Sequence, residues 1–148
     1  MWGVLYNALL AAAALFAVPY YGVKMAVTGK YRKSIGPKLG RRLPGAAAGE
    51  GRPRIWVHAV SVGEVTAAAP VVAALRERFP GAVIVLSTST ETGQEMARNL
   101  VTGASAHLYY PLDIPAVVRR VIGRVNPDIF VPLETELWPN FIRACEER

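Results

Sequence analysis

Residues Arg54–Glu64 read RIWVHAVSVGE: an apolar run, a turn of small residues, then a carboxylate. Ile55, Trp56, Val57, Ala59 and Val60 include the β-branched and aromatic side chains that suit a strand covered on both faces of a parallel sheet. Ser61-Val62-Gly63 breaks the run, and Val65–Phe79 has the composition of a helix. Glu64 therefore stands where a strand hands over to a helix. In an open α/β sheet that edge is where ligands bind.

The residues after Arg54 repeat the same alternation. Arg54–Val60, Ala82–Ser87, Ala106–Tyr110 and Asp128–Leu133 are strand candidates. Val65–Phe79, Glu91–Leu100, Pro115–Val125 and Trp138–Glu147 are helix candidates, and Pro80-Gly81 and Asn126-Pro127 punctuate two of the returns. Four strand–helix units with short connections predict right-handed crossovers and a parallel sheet, a Rossmann-like α/β half. The fourth strand is expected beside the first, so the order reverses between them.

Upstream, Met1–Val23 carries no charged side chain. Trp2–Val23 spans 22 residues, about 33 Å as a helix, against a bilayer core of about 30 Å. Trp2, Tyr6, Tyr20 and Tyr21 lie towards its ends, as interfacial aromatics do. No Lys or Arg precedes the run, which argues against a cleaved signal. The expectation is an uncleaved anchor with Lys24 onward in the cytoplasm.

The charge is lopsided. Of the net +6, Lys24–Arg54 carries nine Lys/Arg against one acid, whereas Ile55 onward carries eight Arg against ten acids. A basic segment beside an anchor fits an anionic membrane surface; a nucleic-acid-binding face spread over the domain is not expected. Leu43–Pro53, LPGAAAGEGRP, has the composition of a linker. The expected organisation is thus an anchor over 1–23, a basic segment and linker over 24–53, and the α/β domain over 54–148. The single cysteine, Cys145, excludes an internal disulfide framework.

In a parallel sheet the residues after each strand gather on one edge. They are Ser61, Gly63 and Glu64 after the first, Ser87–Gly93 (STSTETG) after the second, and Glu134–Asn140 (ETELWPN) after the fourth. Glu64 and Glu134, with Glu136 close behind, would flank the crevice where the strand order reverses, a plausible acid/base pair. Spacing alone favours Glu64 as a cap of its own helix, and the recurrence of Glu134 and Glu136 at a second strand end is what raises the acid/base reading. The SVGE turn lacks the glycine spacing and lysine of a phosphate-binding loop. The Ser87–Thr92 hydroxyls, Thr88 and Thr90 among them, could bind a sugar or phosphate, but Thr90 or Thr88 as the N-cap of the next helix is the favoured reading. His58, inside a strand, fits a core position, and no spacing suggests a metal site.

WVHAVSVGE, STSTETG, YYPLD and ETELWPN, preceded by an apolar anchor and a KYR…LGRRLP basic segment, closely resemble the N-terminal half of 3-deoxy-D-manno-octulosonic acid (Kdo) transferases. The resemblance covers essentially the whole chain. It implies a membrane-associated glycosyltransferase of two-domain GT-B architecture, moving Kdo from CMP-Kdo onto a lipid A precursor at the cytoplasmic face of the inner membrane, without a cofactor. It further implies that Glu64 is the general base and Glu134 the stabiliser of the transition state. Ser61, Gly63, Thr88, Thr90 and Glu136 are then expected on the acceptor side. The family's second domain, which carries most CMP-Kdo contacts, has no counterpart in these residues, so the chain alone is expected to show little or no transfer.

Overall fold

The computed structural model describes residues Trp2–Glu147. Four parallel strands, β1 (Arg54–His58), β2 (Val83–Thr88), β3 (Ala106–Tyr109) and β4 (Ile129–Pro132), lie in the order β3-β2-β1-β4. The register pairs Trp56 with Val85 on one side and with Phe130 on the other. All five residues of β1 and all six of β2 are buried, as central strands covered on both faces must be.

Helices α3 (Val62–Arg78), α4 (Glu91–Leu100), α5 (Pro115–Val125) and α6 (Pro139–Glu146) follow the four strands in turn. Alternation along β1 divides the core. Ile55, Val57 and Ala59 pack with Val65, Ala68, Val72 and Ala97 from α3 and α4. Trp56 points the other way, into Val118, Val121 and Ile122 of α5 and Phe141 of α6. The chain adds β2 and β3 on one side of β1, then crosses to add β4 on the other. The expected reversal between β1 and β4 is therefore present.

The boundaries of α4 and α5 coincide with the sequence expectation. Helix α3 starts three residues earlier, because Ser61 serves as its N-cap and takes Val62, Gly63 and Glu64 into the first turn. Asn126 ends α5 in the left-handed conformation at φ 50°, which asparagine tolerates better than most residues.

Two features upstream go beyond the sequence reading. The apolar helix α1 runs from Trp2 to Thr28, through Pro19 and past Lys24. Lysine is a good helix former, so Lys24 does not end the helix, and its ammonium sits over the rings of Tyr20, Tyr21 and Tyr31. Leu43–Pro53 does not behave as a free linker. It contains a short 3-10 helix, Gly45–Ala48, whose Ala47 is fully buried, and Leu43 also packs on the core. The cause is Arg54, itself only 5% exposed. Its Nε donates to the carbonyls of Val125 at 2.7 Å and Asn126 at 3.1 Å, and its terminal nitrogens reach those of Ala47 and Gly49. One guanidinium thus ties the segment before β1 to the end of α5.

No residue of α1 is buried. By length and composition it can cross a membrane. Its first two turns nevertheless touch the domain. Tyr6 donates to Asp113 at 2.8 Å, and Asn7 exchanges hydrogen bonds with Asn140. Between α1 and β1, the short helix α2 (Arg32–Lys38) lies against the outer side of β3, with Ser34 donating to Glu91 at 2.8 Å.

Candidate active site

The C-terminal edge of the sheet is built around Val60, the last residue before the SVGE turn. Its N–H donates to Glu64 Oε2 at 2.6 Å, and its carbonyl accepts from the Ser89 N–H at 3.2 Å. Ser61, the N-cap of α3, donates its hydroxyl to Glu64 Oε1 at 3.0 Å. Glu64 thus folds back over the start of its own helix, as a residue three positions past an N-cap serine can. The carboxylate is half-buried rather than enclosed. Beside it, Gly63 is exposed, and an added Cβ there would meet nothing within 4 Å, so the space over the turn is open.

From Val60 the hydrogen bonds continue to a second carboxylate. Ser89 donates its hydroxyl to Glu136 Oε2 at 2.9 Å, and the same oxygen lies 2.8 Å from His58 Nε2. His58 is 1% exposed, with Nδ1 2.8 Å from Ser87 Oγ. Ser87 Oγ also accepts from Trp56 Nε1 at 2.8 Å. One set of directions satisfies every group: the indole N–H donates to Ser87, the Ser87 hydroxyl to Nδ1, and the ring proton on Nε2 to Glu136. The imidazole stacks on Tyr110, with centroids 4.0 Å apart. Burial pushes the Tyr110 hydroxyl far above its ordinary range, and the nearby Asp113 and Glu136 add to that. Lys38 is lowered by burial, with the charges of Glu91 and Glu136 opposing the shift.

Of the residues singled out in the sequence, Ser61 and Glu64 are in contact, and Glu136 joins them through Val60 and Ser89. Glu134 lies on the same β4–α6 connection but is exposed, and among the described residues its carboxylate has no hydrogen bond to Glu64. Thr88 is fully buried and donates to Gln94 at 2.6 Å. Thr90 is the N-cap of α4, accepting from the Gly93 N–H at 3.0 Å. Gly93 must stay small, since a Cβ would come within 2.7 Å of Thr90 Oγ1 and 3.4 Å of the Val60 carbonyl. Among the described residues, no group of three or more His, Cys, Asp or Glu is arranged to hold a metal ion.

His58 and Asp113 did not stand out in the sequence as site residues, whereas Ser89 lies within the Ser87–Gly93 stretch already placed at the sheet edge. His58 is a core residue as expected, but one that holds a polar group at the sheet edge. Asp113 is buried, and its carboxylate accepts from the N–H groups of Asn140 at 3.0 Å and Phe141 at 2.8 Å. It fixes the start of α6, and with it the direction in which the ETELWPN connection leaves the sheet. The available signal was the ending of β1 in a polar ring, and an aspartate ahead of a proline-led helix.

The edge thus presents two half-buried carboxylates, one over the α3 turn and one on the β4–α6 connection. Such an arrangement can accept a proton from a hydroxyl and hydrogen-bond its neighbours. Residues 33–148 match the family model described as 3-deoxy-D-manno-octulosonic-acid transferase (kdotransferase). The chain is 34% identical over 142 residues to the 3-deoxy-D-manno-octulosonic acid transferase of Haemophilus influenzae, covering 96% of this chain and 33% of that protein. It is 35% identical over 143 residues to that of Chlamydia pneumoniae, covering 95% and 32%. A protein of Arabidopsis thaliana described as a probable mitochondrial 3-deoxy-D-manno-octulosonic acid transferase is 38% identical over 91 residues, 62% of this chain and 20% of that protein. The chain spans about a third of the length of the Haemophilus and Chlamydia relatives. By this match over most of its length, the chain belongs to the 3-deoxy-D-manno-octulosonic acid transferase family.

Proposed function

We propose that this chain is the acceptor-side, Rossmann-like part of an inverting GT-B glycosyltransferase, which moves Kdo from CMP-Kdo onto a lipid A precursor in lipopolysaccharide biosynthesis. Glu64 takes the proton from the acceptor hydroxyl as its oxygen attacks the anomeric carbon of Kdo. The bond from that carbon to the CMP phosphate breaks on the opposite side, and CMP leaves. Glu134 steadies the positive charge that develops on the sugar, while Ser61, Gly63 and Glu136 border the acceptor. The observation that carries this reading is the Glu64 carboxylate, half-buried at the C-terminal end of β1 beside an open turn.

Most donor contacts are assigned to parts of the protein outside these residues, because the chain spans about a third of its relatives. Helix α1 and the basic residues behind it are the membrane attachment, at the cytoplasmic face of the inner membrane. The hydrogen bonds of Tyr6 and Asn7 to the domain favour a helix lying in the interface over one that crosses the bilayer. The test is a chimera in which this chain replaces the corresponding third of the Haemophilus influenzae relative, assayed for CMP-Kdo-dependent modification of a lipid A precursor. The chimera turns over, and the 148-residue chain alone shows little or no transfer.

A second reading is a non-catalytic module that binds the lipid A precursor at the membrane. It is favoured by the hydrogen bonds that occupy both oxygens of Glu64 at the cap of α3. Acceptor binding by the chimera with no turnover would select it.

A further inference from the structure

A second concave region lies away from the β1–β4 edge, along the outer side of β3. It is a cavity of about 240 Å³ between α2, the turn that follows α2, α4 and β3. Lys33, Arg42 and Arg98 line it, with Gln94 and Tyr109, and no Asp or Glu is among its lining residues. His107 also lines it but is committed elsewhere, its Nε2 lying 3.0 Å from the Val101 carbonyl.

Two observations show that the region is built rather than a chance dent. Gln94 is 3% exposed, and its Oε1 accepts from Thr88 at 2.6 Å, which leaves Nε2 buried with no acceptor among the described residues. A buried donor without a partner is costly and usually marks a missing acceptor. The turn that delivers Arg42 is also unusual. Gly40 stands at φ 71° and Arg42 at φ 58°, and a Cβ on Gly40 would lie 2.9 Å from Val121 Cγ2. A non-glycine residue in the left-handed region persists only where its surroundings hold it there.

We propose that this cavity binds a phosphate monoester, with Lys33, Arg42 and Arg98 supplying the charge over a wall that holds the buried Gln94 amide. Its volume lies below the roughly 300–1,000 Å³ of sites that take a drug-sized ligand. It therefore suits a phosphate with a single sugar or a lipid phosphate headgroup, not a nucleotide. The site makes no use of Glu64 or Glu136, so it stands or falls separately from the transfer chemistry. Its membrane form rests on the proposed attachment of α1, since α2 follows α1 after Gly29–Tyr31.

The test uses the full chain in detergent, titrated calorimetrically with inorganic phosphate and with glucose 6-phosphate. A second arm measures flotation with phosphatidylcholine vesicles, with or without phosphatidic acid. The exposed variants Arg42→Gln and Arg98→Gln each weaken phosphate binding about tenfold. Gln94→Glu, which puts a carboxylate in the wall of the cavity, abolishes it. Arg119→Gln removes an equal charge outside the cavity and changes nothing. Saturable binding of glucose 6-phosphate without preference for phosphatidic acid identifies a soluble ligand. Phosphatidic-acid-dependent flotation lost in Arg42→Gln and Arg98→Gln identifies a lipid headgroup. Absence of both, or an Arg119→Gln effect equal to that of Arg98→Gln, overturns the site. Because Arg42 and Arg98 are exposed, misfolding of Gln94→Glu would leave that decision intact.

Discussion

His58 and Glu136, 78 residues apart, meet with Nε2 and Oε2 separated by 2.8 Å at the junction of β1 and the β4–α6 connection. The ring is buried and Glu136 is half-buried, so the carboxylate is the acceptor that makes a polar ring tolerable at the end of a core strand. Glu136→Ala strips that acceptor and leaves a buried N–H unpaired, costing about 1–3 kcal/mol in urea unfolding. Glu136→Gln keeps an oxygen for the ring and costs less. An Ala variant as stable as the parent would show that the pair holds nothing.

Arg54 gives a sharper structural prediction. Its fork reaches carbonyls on both sides of the chain segment it joins, a geometry that a lysine ammonium cannot reproduce. Arg54→Lys destabilises the domain by roughly 2–3 kcal/mol, through carbonyls left short of donors. Limited proteolysis then cuts within residues 43–53, which the parent protects. Unchanged protection would separate the order of this segment from Arg54.

On the acid side, the pH dependence of stability has two parts. Burial holds the His107 imidazole below its ordinary range, although its bond to the Val101 carbonyl opposes the shift. The unfolded chain therefore takes up a proton near pH 6.5 that the folded chain refuses until lower pH. The His107 contribution is fully present above about 6.5 and is lost as the pH falls towards the folded value. Asp128, held low by hydrogen bonds from the Arg52 side chain and the Arg54 N–H, adds a separate decline only below about pH 4. Urea midpoints between pH 5 and 8 on a ~0.5 grid check the first part. His107→Gln flattens that slope, and an unchanged slope would contradict the assignment.

Helix α1 is apolar on all sides, as a spanning helix is, yet Tyr6 hydrogen-bonds Asp113. Tyr6 and Lys24 are about 27 Å apart along the axis. A helix crossing the bilayer with Lys24 on the domain's side would have to give up that bond. In membranes, a Gly3→Cys, Arg143→Cys pair in a Cys145→Ser background is therefore expected to crosslink through a short bis-maleimide, since Gly3 lies against the Arg143 side chain. No crosslink in membranes, with crosslinking in detergent, would mean that the helix leaves the domain and spans.

Much of this architecture was legible from residues 54–147, because buried parallel strands write themselves as uninterrupted apolar runs and Asn126 and Pro115 mark helix ends. The reversal at β1 followed from the same alternation. What the sequence hid was tertiary. The order in Leu43–Pro53 comes from a guanidinium whose acceptors include carbonyls about 70 positions away. The end of α1 at Thr28 falls beyond the apolar run, because lysine is a good helix former and Lys24 does not interrupt it. At the site, Glu64 could be found from its place after a strand. His58 could not be paired with Glu136 from strand order alone, because the pair also depends on the path of the β4–α6 connection. The hydroxyls of Thr88 and Thr90 look alike in the sequence, but one is sealed against Gln94 and the other caps α4.

The most direct test separates the two roles that Glu64 can hold, helix cap and proton acceptor. In the chimera described above, Glu64→Gln keeps an oxygen for the Val60 N–H but cannot take a proton from a sugar hydroxyl. The expected result is a stability within about 0.5 kcal/mol of the parent, with turnover of CMP-Kdo down by roughly 10²–10⁴. Transfer at the parental rate by a folded Glu64→Gln chimera would contradict it.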